Sequence, residues 1–150
     1  MRPLTLYILL FGLAAGTAVG VGGYAFVYAR GYSYLQNDPA ACANCHVMQA
    51  HFDGWTKGSH RSAAGCNDCH APPGTIDKYL VKAENGFWHS LKFTTGDFHE
   101  PIRIRQKNHD VTEQACRGCH REIVDAIDGT HGAAEPNSCV RCHDSVGHMR

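Results

Sequence analysis

Four short runs constrain this 150-residue chain more than anything else in it: CANCH at Cys42, CNDCH at Cys66, CRGCH at Cys116 and CVRCH at Cys139. Each is C-x-x-C-H, and together they use all eight cysteines. Two thiols three positions apart can form thioethers with the two vinyl groups of one porphyrin, and the histidine that follows then lies beneath the iron. The pairs Cys42/Cys45, Cys66/Cys69, Cys116/Cys119 and Cys139/Cys142 are therefore candidate haem attachments. His70, His120 and His143 are candidate proximal ligands, with His46 in the corresponding place at the first motif. A disulfide framework or zinc sites would also use the cysteines, but neither explains a histidine after every second one. A thioredoxin-like motif would stand once inside a βαβ pattern, and no such pattern is visible. Four motifs predict four covalently bound c-type haems.

The amino terminus carries a second strong signal. No charged residue occurs from Leu4 to Ala29, between Arg2 and Arg30. A bilayer-crossing helix needs about 20 mostly apolar residues, and the glycines in this run are frequent in transmembrane helices although they weaken soluble ones. A cleaved export signal begins similarly, but its apolar region is only about 7 to 15 residues long. Here hydrophobicity continues through Val19, Val21, Tyr24, Phe26, Val27 and Tyr28. Tyr24, Tyr28, Tyr32 and Tyr34 read as an interfacial aromatic belt at the outer end. The expected organisation is a transmembrane anchor over residues 1–30 and a haem domain over residues 31–150. Thioether attachment of haem takes place on the exported side of the bacterial membrane. The expected location is thus the inner membrane, single-pass, with the haem domain in the periplasm.

One motif for every thirty residues of that domain leaves too little apolar side chain for an ordinary core. The porphyrins themselves must supply it. The expected fold is mainly α, with short helices, long loops and few or no strands; the breakers Pro72, Pro73, Gly74 and Pro136 agree. Lysine plus arginine equals aspartate plus glutamate at 14 each, which gives no electrostatic case for a nucleic-acid partner. The basic run with Arg103, Arg105 and Lys107 could meet haem propionates or lipid headgroups, or simply be a solvated face.

The motifs start at residues 42, 66, 116 and 139, at intervals of 24, 50 and 23. Two close pairs emerge, and each encloses a similar tetrapeptide, KGSH ending at His60 and DGTH ending at His131. Electron-transfer haems are usually ligated on both faces, so some of the seven histidines outside the motifs should be sixth ligands. The repeat points to His60 and His131, and His148 is the candidate beyond the last motif. The other reading of each is a solvated or propionate-bonding histidine. After the second motif, Ile76, Tyr79, Leu80, Ala83 and Phe87 recur at helical spacing as one apolar face. The opposite face presents Lys78, Lys82, Asn85 and His89, which by default would be solvated.

Four C-x-x-C-H motifs behind one amino-terminal anchor, with CANCHVM at the first, resemble the NapC/NirT family of membrane-bound tetrahaem quinol dehydrogenases. The resemblance covers nearly the whole chain and includes CNDCHAP at Cys66 to Pro72, Lys82, and GHMR at Gly147 to Arg150. The short length is most like the branch that serves cytochrome c nitrite reductase. The resemblance implies that menaquinol is oxidised in the membrane and that electrons pass along the haems to a periplasmic multihaem reductase. For this branch the partner is the pentahaem enzyme converting nitrite to ammonium. Lys82 matches the lysine lining the family's quinol site. His89 departs from the pattern, since a well-characterised member has an aspartate on the open side of the first haem; it is a candidate ligand there or a proton acceptor. Met48 is favoured by the resemblance as the first haem's proximal ligand, and it competes with His46 for one porphyrin face. A thioether ligand is compatible with that position because it raises the haem potential. Two other readings stay open: an anchored electron carrier without quinol chemistry, and a quinol dehydrogenase serving nitrate reductase or an octahaem hydroxylamine-type enzyme.

Intact-mass spectrometry should find four haem additions on a chain that retains Met1 or Arg2 and stays with salt-washed membranes. A mature chain beginning near residue 30 would reject the anchor.

Overall fold

The computed structural model describes residues 2–131 and 137–148, except the side chains of Thr130 and His131. Contacts divide the chain into two units that meet between Ser33 and Tyr34. In the first, Pro3 sits where a helix needs no N–H donor and opens α1, Pro3–Tyr28. At 26 residues it would run about 39 Å. Its apolar window has a mean hydropathy of 2.0, and none of it is buried in the protein. Helix α1 is therefore long and apolar enough to cross a bilayer. Tyr24 and Tyr28, one turn apart, stack at 5.8 Å.

The second unit is helical, and no strand occurs among the described residues. Asp38 accepts the Ala40 N–H at 2.9 Å and Pro39 follows it, which starts the short α2, Pro39–Cys42. Helix α3, Gln49–Lys57, follows a 3-10 turn at His46–Met48. Asp68 reaches back to the Gly65 N–H at 2.8 Å and closes the first turn of α4, Cys66–His70. The longest helix of this unit, α5, spans Thr75–Thr95 and stops at Gly96, whose φ of 75° few other residues adopt. Then come α6, Gln106–Cys119; α7, Arg121–His131; and α8, Cys139–Cys142. Helix α2 packs on α4, α4 on α6, and α6 on α8. The helix that ends at Cys42 and the helices that carry the other three cysteine pairs thus touch in chain order.

The described apolar side chains do not close a core of their own. Only Ala71 and Val81 are buried apolar residues, Lys82 is buried with them, and no large side chain is fully enclosed among the described residues. That matches the expectation of a domain whose core is its porphyrins.

Helix α5 corrects one reading. Its apolar face is outward: Ile76 is 76% exposed, Leu80 63% and Phe87 62%. The polar side turns in, with Lys82 only 8% exposed. Glu84 bonds Arg105 at 2.9 Å and also pairs with Lys107. Asn85 accepts from Asn108 at 3.0 Å. Periodicity identified the helix and its two faces; the ionic and amide partners on 105–108 decided which one packs.

A local tie shows how such loops are held. Trp55 on α3 donates its indole N–H to the Ala64 carbonyl at 2.9 Å across the 3-10 turn Ser59–Ser62. Trp55→Phe keeps an aromatic ring but leaves that carbonyl without its donor. We expect a loss of about 1–3 kcal/mol, read as a lower midpoint in chemical denaturation.

Candidate functional site

The stretch from Tyr34 to Asp38 is strapped across α5. Tyr79 donates its hydroxyl to the Leu35 carbonyl at 3.3 Å. The Lys82 ammonium donates to the Gln36 carbonyl at 2.5 Å and to Asn37 Oδ1 at 3.2 Å, and lies 5.4 Å from the centre of the Tyr79 ring. Lys78 approaches the same ring at 5.6 Å. Burial first, and then the charge of Lys78, pull the Lys82 pKa below the usual lysine range, while the Cys42 sulfur of the first motif pushes it the other way. A buried ammonium held by neutral oxygens beside the first attachment motif can bond a polar group of an apolar ligand.

At the far end of the strap, the Tyr34 hydroxyl and His89 Nδ1 are 2.9 Å apart. Burial, then Cys45 and Cys42, push the Tyr34 phenol up to about 12, so it stays protonated at ordinary pH. Tyr34, read from the sequence as part of the aromatic belt, thus also contacts His89, which that reading did not anticipate. Nothing in the local pattern distinguishes it from Tyr28 or Tyr32. Desolvation, then the charge of Arg105, hold the His89 imidazole below its usual range and so favour the neutral ring. Arg105 is itself fixed by Glu84 and lies 5.6 Å from the centre of the Trp88 ring. Of the basic run, Arg105 and Lys107 are thus tied to Glu84.

Two histidine pairs stand out. His60 and His120 have ring centres 6.1 Å apart, and His70 and His148 have theirs 5.8 Å apart. Two imidazoles on opposite sides of one metal, each bonded at about 2 Å, place their ring centres roughly 6 Å apart. Both non-motif rings have their Nδ1 engaged by a backbone carbonyl. His60 Nδ1–H donates to Val146 at 3.3 Å, and His148 Nδ1–H donates to His51 at 3.1 Å. That tautomer leaves Nε2 with its lone pair, as an iron ligand requires. Gly58 permits the first of these ties, since a Cβ there would lie 3.3 Å from the Val146 oxygen. Burial, then His148 and His51, push His70 down to about 4 and keep its ring neutral. The His51 and His148 rings meet at 5.1 Å beside a cavity of ≈460 Å³ that also reaches Lys57 and Asp144. The donor set and its tautomers fit haem. Among the described residues, no group of three or more His, Cys, Asp or Glu converges as a metal cluster would.

The remaining candidates are placed more simply. His46 and Met48 share one 3-10 turn, with His46 exposed and Met48 half-buried. His143 follows α8 and is exposed. His131 ends α7, but its side chain lies outside the described residues. Cysteines of successive motifs are neighbours, Cys42 with Cys66 and Cys69 with Cys119.

Residues 2–150 match the model of the NapC/NirT cytochrome c family, N-terminal region. The chain belongs to the NapC/NirT cytochrome c family. Membership implies covalently bound haem c, which the cysteine pairs and histidine tautomers fit. This NapC/NirT chain is 32% identical over 151 residues to the cytochrome c-type protein NrfH of Wolinella succinogenes, covering 94% of its own length and 83% of the relative's. It is also 32% identical to the cytochrome c nitrite reductase subunit NrfH of Nitratidesulfovibrio vulgaris, over 90% of its own length and 81% of that protein's. Its fold matches a chain in the crystal structure of the cytochrome c nitrite reductase NrfHA complex bound to the HQNO inhibitor. The TM-score is 0.65 at 26% identity, and the match covers 95% of this chain and 91% of that one. The chain is a homologue of NrfH.

If the two ring pairs each bracket one iron, His60→Ala and His148→Ala should each convert one low-spin haem signal to high-spin without changing the haem mass. Unchanged spectra in both variants would show that these rings are not ligands.

Proposed function

We propose that this protein is a membrane-anchored tetrahaem quinol dehydrogenase that oxidises menaquinol and delivers the electrons to a periplasmic pentahaem nitrite reductase. The observation that carries the reading is Lys82, buried beside the first attachment motif and held by Gln36 and Asn37. A carrier that only relayed electrons would have no use for a buried ammonium in that place. Homology to NrfH supports the choice of partner. The 26-residue apolar helix supports anchoring in the inner membrane, with residues 1–30 as anchor and residues 31–150 as the periplasmic domain.

Four haems would be held by the four cysteine pairs. His70 and His148 would ligate the second, His120 and His60 the third, and His143 the fourth, with His131 as its candidate partner. Met48, or His46 in its place, would ligate the first. When bound, the haems would supply one-electron acceptors, and the contacts of α2 with α4, α4 with α6 and α6 with α8 favour passage in chain order.

Oxidising a quinol removes two electrons and two protons, so residues beside the first motif must orient the hydroxyls and take up protons. The Lys82 ammonium can donate to a quinol oxygen and stabilise the negative charge that grows there as its proton leaves. His89, held neutral, can accept that proton at Nε2 in the tautomer whose Nδ1–H donates to the Tyr34 oxygen, 2.9 Å away. As an iron ligand His89 would have no free pair for the proton, so the two roles exclude each other. Lys82 and His89 are seven residues apart on α5, which puts them on one face of the helix.

Lys82→Met should lower menaquinol-analogue reduction of the haems at least tenfold while haem number and reduction by dithionite stay normal. Near-normal quinol oxidation by that variant would reject the site and favour the plain carrier.

A further inference from the structure

Far along the chain from Lys82, a second buried polar cluster joins the third and fourth motifs. Glu113 lies on α6, about one turn before Cys116, and its side chain is 15% exposed. Its carboxylate accepts three hydrogen bonds from the start of α8. Ser138 Oγ–H donates at 2.5 Å, the Cys139 N–H at 2.9 Å and the Val140 N–H at 3.1 Å. Burial opposes the charge, yet these donors outweigh it and hold the carboxyl below its usual range. Two basic groups are nearby. His109 Nε2 is 3.9 Å away. Arg117, on the next turn, is bonded to Asp128 at 2.6 Å and to the Asn137 carbonyl at 2.5 Å. The Glu113 charge is therefore balanced mainly by backbone and hydroxyl dipoles. Its carboxylate thus lies at the start of α8 and about one turn from Cys116 on α6.

We propose that Glu113 is a positioning residue for electron transfer between the third and fourth haems, locking α8 to α6 and lowering the reduction potential there with its fixed negative charge. This rests on haem attachment at both motifs. A ferric haem carries one more positive charge than a ferrous one, so a nearby anion favours the ferric form. With haems held by the two motifs, the step would move one electron from the third to the fourth, with no proton transferred. A lower potential at this end makes onward release to an acceptor more favourable. Arg117, which grips the segment entering α8 through Asn137, helps hold the same geometry.

The test is a spectroelectrochemical titration of the full-length protein in detergent, with haem number checked by intact mass. Glu113→Gln keeps an acceptor of the same length but removes the charge. At least one haem component should shift upward, by about tenfold in its ferrous-to-ferric ratio at fixed potential, or about 59 mV for one electron. Glu113→Asp should restore most of the shift. Four haems with unchanged potentials in Glu113→Gln would overturn the proposal. So would the same shift in Glu113→Asp, because then geometry and not charge would be responsible. If Glu113→Gln does not mature with four haems, Ser138→Ala decides. It leaves the carboxylate less compensated, so the same potentials must fall, and potentials that stay or rise overturn the proposal. Missing haems in the wild-type mass would instead count against the tetrahaem reading on which it rests.

Discussion

Covalent attachment of haem c through C-x-x-C-H segments, which membership of the family implies, is the constraint that the second unit has to meet. With a motif for every thirty residues, the chain cannot spend its apolar side chains on one another. Hence only Ala71 and Val81 are buried apolar residues among those described, while Leu35, Leu80, Phe87, Ile123 and Val146 remain exposed to what surrounds the polypeptide. Short helices follow from the same constraint. Helix α4 is the attachment segment Cys66–His70 and nothing more, α8 covers only Cys139–Cys142, and α2 ends at the first cysteine of its motif. Their packing against one another and against α6 sets the spacing of whatever they hold.

Backbone oxygens then do the work that side-chain packing does elsewhere. The carbonyls of Val146 and His51 engage the Nδ1 atoms of His60 and His148, across 86 and 97 residues of sequence. Each contact ties the carboxy-terminal tail to the region after the first motif and at the same time directs an Nε2 lone pair toward the paired ring. The Gln36 carbonyl serves Lys82 in the same manner across 46 residues. The Val146 and Gln36 carbonyls belong to loops and short turns, where no helix uses the oxygen, whereas that of His51 lies in α3. A loop-rich fold is therefore well supplied with groups that orient imidazole and ammonium.

The family, the helical class and the cysteine–histidine framework were legible in the sequence because they depend on spacing, which is local. The His60 and His148 placements were foreseen as candidates, from an internal repeat and from position after the last motif. Their partners, His120 and His70, were not, because the chain returns on itself by contacts of long range. The Tyr34 contact was not anticipated because a tyrosine a few residues beyond an apolar helix looks like a membrane-interface residue. Its 2.9 Å contact with His89 arises only when the strap crosses α5. Glu113 went unnoticed because a glutamate on a solvated-looking helix is ordinary until Ser138, Cys139 and Val140 are brought to it. The inverted facing of α5 has the same origin: a periodic pattern defines two faces, but partners elsewhere choose between them.

By itself the sequence determined what could be bonded covalently and what length of chain could cross a bilayer, since both follow from residue types at fixed separations. Only the tertiary structure decided which imidazole faces which, why Lys82 is buried among neutral oxygens, and how Glu113 comes to lie between the third and fourth motifs. The physical reason is that these arrangements depend on hydrogen bonds between segments tens of residues apart, and their geometry exists only once the helices have packed.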